Sequence, residues 1–177
     1  MMNKAQWIRL PIAALALSAS AFVGLKVSEG YSDTAIIPVP GDVPTIGFGT
    51  TEGVQMGDRT TPVKAVVRAL QDVSKFEGAL KQCVSAPLHQ HEYDAYISLA
   101  YNVGSGAFCG SSIPRKLSAG EYEAACKTIL DFNKMKDCTK PKVWNPRTQR
   151  MECPLVEIRG LTLRRQKEFN QCMGTPG

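Results

Sequence analysis

Several features are absent from this chain of 177 residues, and each absence narrows what it can be. No internal repeat and no low-complexity stretch interrupts it, so the length describes one globular unit able to bury a real core. None of the six cysteines stands in a Cys-x2-Cys pair, which removes the close ligand spacing of a structural zinc site. His89 and His91 are the only histidines. Two positions apart on a helix they would splay rather than share a face, so they read as the start or cap of a helix and not as metal ligands. No charge occurs from Leu10 to Leu25, and no cysteine precedes Cys83.

Carboxyl groups are present where chemistry would use them. Glu29-Gly30 is followed, after a Pro-rich span, by Gly41-Asp42-Val43-Pro44-Thr45-Ile46-Gly47-Phe48-Gly49. One carboxyl therefore lies just ahead of a Gly- and Pro-punctuated turn that carries a second carboxyl and a hydroxyl. Cleaving a glycosidic bond needs a protonated carboxyl to donate to the leaving oxygen and an ionised one to activate water or attack the sugar.

These residues resemble the catalytic Glu and following hairpin of the phage T4-type lysozymes, the endolysins of glycoside hydrolase family 24. Two later blocks agree with them. Ala100-Tyr101-Asn102-Val103-Gly104-Ser105-Gly106-Ala107-Phe108, then Arg115-Lys116-Leu117, is similar to that family's mid-domain helix and turn. Gly160-Leu161 with Arg164-Arg165, Glu168 and Cys172 is similar to its C-terminal helix. The resemblance implies a lysozyme-like α+β fold, mostly helical, with a small β-hairpin region beside a helical body and the substrate cleft between them. An N-terminal hydrophobic helix would precede it, giving a segment over 1–28 and a catalytic domain over 29–177.

The activity implied is hydrolysis of the β-1,4 bond between N-acetylmuramic acid and N-acetylglucosamine in peptidoglycan, without cofactor or metal. Glu29 would be the general acid, with its pKa raised by an apolar wall at a helix end. Thr45 would orient the attacking water. The family's second carboxyl is missing from its usual place: counting from Glu29 gives Pro38, and counting back from Thr45 gives Val39. Asp42 is the nearest replacement and the candidate base, although Gly-Asp is also ordinary turn chemistry. Asp33, at i+4 from Glu29, would share its face only if the helix continued that far. Two rivals stay open: a lytic transglycosylase running on Glu29 alone, and a non-catalytic wall-binding protein on the same fold.

The uncharged run follows Lys4 and Arg9 and addresses the chain to the inner membrane. As one helix it would be about 24 Å long, short of the ~30 Å hydrocarbon core, and it is diluted with Ala, Ser and Gly. Ala19-Ser20-Ala21 would serve as a secretory cleavage site. Cutting there leaves seven residues before Glu29, which favours the other reading, a retained segment resembling the signal-arrest-release tether of certain phage endolysins. The tethered enzyme would be inactive in the inner membrane and active in the periplasm once released. With no cysteine before Cys83, that release would be conformational rather than a disulfide exchange.

An even number of cysteines in an exported chain argues for disulfides, with 15 possible pairings. Cys138 with Cys153 is the pair expected, clipping an irregular insertion over 133–155. Thr61-Pro62 starts a helix whose apolar face is expected to be Val63, Val66, Val67, Leu70, Val73 and Leu80. Further helices are expected near 91–102, 121–132 and 161–171. Eleven of 21 Lys and Arg lie from Lys127 onward against five acids, a basic surface suited to an anionic envelope. Arg164 and Arg165 have a structural alternative near a helix end. Export argues against a nucleic-acid partner, and a monomer is expected.

Overall fold

The computed structural model of the chain describes residues 8–38 and 41–175, the side chains of residues 28 and 29 excepted. Helix α1 (Ala19–Glu29) leads into a hairpin of β1 (Ser32–Ile36) and β2 (Thr45–Gly47). The body follows as α2 (Pro62–Cys83), α3 (Gln90–Val103), α4 (Ser105–Cys109), α5 (Ile113–Ser118), α6 (Tyr122–Thr128) and α7 (Arg159–Cys172). Between α6 and α7 an arm carries β3 (Lys134–Lys136), β4 (Val143–Asn145), β5 (Arg150–Glu152) and β6 (Leu155–Glu157). Each pairing is antiparallel: β1 with β2, β3 with β6, β4 with β5. The lysozyme-like α+β reading holds as a helical body with small sheets.

Helix α3 is the centre of the core, with Tyr93, Tyr96, Ile97 and Leu99 fully buried among Leu88, Phe108, Ile113 and Ile129. His89 caps its N-terminus and donates its backbone N–H to Glu92 Oε2 at 2.8 Å. The two histidine rings do not splay, as α-helical geometry suggested. Because His89 is the cap and not a helical residue, its ring stacks on His91 at 5.1 Å. Among the described residues no group of three or more side chains is placed to hold a metal.

Helix α2 starts as expected, with Thr61 accepting from Lys64 N and Pro62 in the first turn. Its inner face differs from the expected one. Val73 and Leu80 are buried, but Val63, Val66, Val67 and Leu70 face solvent, and Ala65 and Ala69 turn inward instead. The hairpin lies too close for anything larger: a Cβ on Gly47, which has φ 65°, would come within 2.9 Å of Ala65 Cβ.

The N-terminal run is not one apolar helix. Leu10 forms an isolated bridge with Leu88, residues Ile12–Ala14 make a single 3-10 turn, and the chain is extended to Ser18 before α1 begins. Pro11 lacks an N–H, and Ser18 caps α1 by accepting from Ala21 N, so local chemistry splits the run in two. No helix among the described residues is long and apolar enough to cross a membrane. The run lies on the body. Ile12, Leu15 and Leu25 join the main core, Arg9 pairs with buried Glu92 at 2.7 Å, and Ser18 Oγ donates to Asp94 at 2.7 Å.

Three disulfides close the structure: Cys83–Cys109, Cys126–Cys172 and the expected Cys138–Cys153. The insertion over 133–155 is more regular than expected, since two short ladders flank its disulfide.

Cys126–Cys172 joins α6 to α7 across 46 residues, and both cysteines are buried, so the chain-entropy argument gives it about 4 kcal/mol. Cys138–Cys153 clips an arm with no buried residue. Replacing Cys126 and Cys172 by Ser should therefore cost about 4 kcal/mol in urea unfolding, whereas replacing Cys138 and Cys153 should loosen the arm and cost the body less than ~1 kcal/mol. A second expectation concerns acid. Burial holds the His91 pKa below its ordinary value, so the unfolded chain takes up the proton first. Stability should fall as pH drops through about 6.5, and His91→Gln should flatten the difference between urea midpoints at pH 7.5 and 5.5.

Candidate active site

Helix α1 ends at Glu29 because Gly30 breaks it. Its backbone stands at φ 75° and ψ −177°, a region that only glycine occupies without strain. Two residues later β1 begins, so the end of α1 stands at the mouth of the hairpin. Three residues of β1 lie opposite one of β2 between the Ser32–Gly47 and Ile36–Thr45 pairs, a bulged register that bends the strand. Asp33 sits in β1 with its carbonyl accepting from Thr60 N at 2.9 Å, and it does not extend the face of α1, because the helix has already ended.

A cavity of 440 Å³ opens here, lined by Gly30, Tyr31, Ser32, Ile36, Pro38, Asp42, Thr45, Ile46, Gly47 and Gly49. Asp42 and Thr45 thus share one space with the residue after Glu29. Pro38, the position reached for a second carboxyl by counting from Glu29, lines it too; Val39, reached by counting back from Thr45, and the Glu29 side chain lie outside the described residues, and with the latter the expected rise in its pKa. Asp42 is exposed, and its Oδ1 accepts from Val43 N at 2.8 Å. Thr45 Oγ1 donates to Val43 O at 3.2 Å. Tyr31 and Phe48 contact each other across the hairpin with ring centroids 5.1 Å apart.

A second cavity of 400 Å³ meets the first at Gly49 and runs toward α2 and α3, lined by Glu52, Asp72, Lys75, Phe76 and Tyr101 among others. Its wall is held by charge. Thr50 Oγ1 donates to Asp72 Oδ2 at 2.7 Å, and Lys75 pairs with both Asp72 and Glu52. The hydrogen bond from Lys75 lowers the Glu52 pKa, and the same bond raises that of Lys75.

Lys26 was not singled out by the sequence reading. It is buried, donates to Tyr101 Oη at 2.8 Å and lies 4.0 Å over that ring, tying α1 to α3 one turn before Glu29. Its signal was a lone cation just after sixteen uncharged residues, three positions ahead of the candidate acid. Arg165 is structural: it is fully buried, paired with Glu168 at 2.9 Å and donating to Asn102 Oδ1 at 2.7 Å. Two larger cavities, of 870 and 600 Å³, lie where the N-terminal run meets α3 and α7, and neither contains a hairpin residue.

The description "Phage lysozyme" belongs to the family whose pattern matches residues 26–168, from one turn before Glu29 through most of α7. The chain belongs to the phage lysozyme family. Family membership makes its activity lysis of peptidoglycan. Among its relatives is the SAR-endolysin of Pseudomonas phage phiKMV, 31% identical over 163 residues that cover 92% of this chain and 91% of that protein. The endolysin of Salmonella phage P22 is 34% identical over 145 residues, covering 76% of this chain and 93% of its own length. A solved endolysin from Escherichia coli O157:H7 phage FAHEc1 superposes with a TM-score of 0.75 at 27% identity, covering 93% of this chain and 98% of that one.

Two glycines of α1 in this family member should respond in opposite ways to alanine. Gly30 has a positive φ with open space around its Cβ position, so Gly30→Ala should cost about 1–3 kcal/mol through backbone strain alone. Gly24 is helical with nothing near its Cβ position, so Gly24→Ala should stabilise by roughly 0.5–1 kcal/mol. Urea midpoints moving in the same direction would contradict this reading of the α1 end.

Proposed function

We propose that this chain is an endolysin that hydrolyses the β-1,4 bond between N-acetylmuramic acid and N-acetylglucosamine by a single displacement. Glu29 is the general acid, Asp42 the base that activates water, and Thr45 the group that orients that water. The observation that supports the reading is that Asp42, Thr45 and Gly30 line one cavity of the hairpin, at the end of α1. An ionised carboxylate in a solvated turn suits a base, and a carboxyl at a helix end suits an acid where its surroundings are apolar.

One observation favours a second reading. Neither position reached for a second carboxyl, Pro38 or Val39, carries one, and one Asp42 oxygen is taken up by the Val43 N–H, as in an ordinary turn. A lytic transglycosylase needs only Glu29, because the muramic acid hydroxyl closes on the sugar itself and leaves an anhydro product.

Residues 1–28 are read as a signal-arrest-release segment that keeps the enzyme inactive in the inner membrane and then releases it into the periplasm, with residues 29–177 as the catalytic domain. Three observations support this: the uncharged run over 10–25, the docking of that run on α3, and the near full-length match to a protein named a SAR-endolysin. Cleavage after Ala21 would also remove Ile12, Leu15 and the Ser18 cap, all of which the body uses.

Turbidity loss of outer-membrane-permeabilised Gram-negative cells tests the assignment with purified parent, Glu29→Gln and Asp42→Asn. The two-carboxylate hydrolase predicts at least a hundredfold loss in each variant, in line with a general acid–base contribution of ~10²–10⁴. Full activity in Asp42→Asn with a dead Glu29→Gln, and anhydro-muramic products by mass, would move the transglycosylase ahead. A folded, oxidised parent that lyses nothing would leave a wall-binding protein.

A further inference from the structure

The arm between α6 and α7 has strands but no core: no residue from 131 to 160 is buried. It nonetheless displays large apolar side chains. Trp144 and Met151 are cross-strand partners in the β4–β5 ladder, so they stand side by side on one face, 60% and 54% exposed. Val143, Met135 and Leu155 are exposed as well. A ladder held by backbone bonds and a disulfide draws only modest stability from such a cross-strand pair, and the half of each side chain left exposed offers apolar area for contact with something else.

The charges around them indicate what that is. Residues 134–157 carry six cations and three acids, a net charge of +3. Two of the acids are partnered within the arm: Asp137 takes the Thr139 hydroxyl and pairs with Lys140, and Glu152 takes the Thr148 hydroxyl and pairs with Lys136. Among the described residues Lys142, Arg147 and Arg150 enter no ion pair; Lys142 lies two residues before Trp144, Arg147 in the turn between the strands, and Arg150 next to Met151 on the other face of the ladder. Tryptophan settles at the headgroup level of a bilayer, aliphatic and thioether chains enter the acyl boundary, and lysine and arginine meet anionic headgroups. A sugar-binding platform would surround its tryptophan with hydrogen-bonding side chains; here methionine takes the neighbouring place.

We propose that the tip of this arm, with Trp144 and Met151 on one face and the cations Lys142, Arg147 and Arg150 close by in the chain, docks on the surface of an anionic phospholipid bilayer. This surface is separate from the hairpin cavity and from the N-terminal run. It would hold the body at the membrane face independently of residues 10–25, and it does not rest on the catalytic assignment.

The full chain carrying Trp7→Phe leaves Trp144 as its sole tryptophan, so its fluorescence reports on the arm even if the N-terminal run also meets lipid. Vesicles of phosphatidylglycerol with phosphatidylethanolamine should shift that emission to the blue and allow quenching by brominated acyl chains; phosphatidylcholine vesicles should do neither. Met151→Ser with Lys142→Gln and Arg150→Gln should weaken the emission-detected binding about tenfold or more while leaving the thermal midpoint and cell-lytic rate unchanged. An unshifted emission on anionic vesicles would overturn the proposal. So would an equal response on phosphatidylcholine, or a Trp144 response to purified peptidoglycan sacculi in place of lipid.

Discussion

Two carboxylates near the start of α3 constrain much of this structure. Glu92 and Asp94 are buried in the helix that forms the centre of the core, and buried carboxylates are costly unless paired. The His89 N–H and the Gln90 side chain satisfy them in part, and the remaining partners come from the N-terminal run. Arg9 grips Glu92 through two nitrogens and lies 3.5 Å over the Tyr122 ring, while Ser18 gives Asp94 both its N–H and its hydroxyl. Gln90 adds a bond to Ala16 O, and Glu77 accepts from Leu17 N. The favourable free energy of docking comes from Ile12, Leu15 and Leu25 in the core; the polar contacts fix one register, since a slip of the run would leave buried charge without a partner. Helix α1 is thereby set in place, and with it the end at which Glu29 stands. Lys26 on Tyr101 locks the same helix from its other end. The position of the N-terminal run and the position of Glu29 are one variable.

The sequence carried the fold where local chemistry agreed with packing. Thr61-Pro62 started α2, Gly104 ended α3, and the helical spans near 91–102 and 161–171 agree with α3 and α7 to within two residues. It failed where one close contact overrode periodicity. Val63, Val66, Val67 and Leu70 fall at helical spacing, but the hairpin approaches α2 at Gly47 so closely that only a residue as small as Ala65 fits beneath it, and Ala65 and Ala69 are buried in place of the valines. Pattern reading ranks side chains by apolarity, whereas a tight interface selects them by size. The run over 10–25 failed for a different reason. Absence of charge suggested one helix, while Pro11 and Ser18, which divide it, are small enough to pass as diluents in an apolar average.

The candidate site was legible in part. Glu29-Gly30 and the Thr45–Gly49 stretch stand out because glycine with positive φ recurs there, at Gly30, Gly41, Gly47 and Gly49, and a hairpin this short needs such residues. The supporting contacts were not legible. Thr50 with Asp72, and Lys26 with Tyr101, join residues 22 and 75 positions apart, and nothing in a one-dimensional pattern ties them. The bulge between β1 and β2 is equally invisible, although it determines which side chains turn into the cavity.

On the tether reading, the same run has two places to bury its apolar side chains, and their strengths decide whether release goes to completion. In a bilayer its seven larger apolar residues contribute about 0.3–0.6 kcal/mol each, offset by Pro11, the serines and Gly24. On the body, Ile12, Leu15 and Leu25 alone are worth roughly 1.5–3 kcal/mol each as upper values, and the bonds at Glu92 and Asp94 are added to them. The body is therefore the deeper well, and the membrane holds the run only while something else keeps it there. A more apolar run would stay in the bilayer, and a run without Arg9 and Ser18 would dock without register. On that reading, the small residues that make the run a poor membrane helix lie mostly exposed on the body, and Ile12, Leu15 and Leu25 carry its docking.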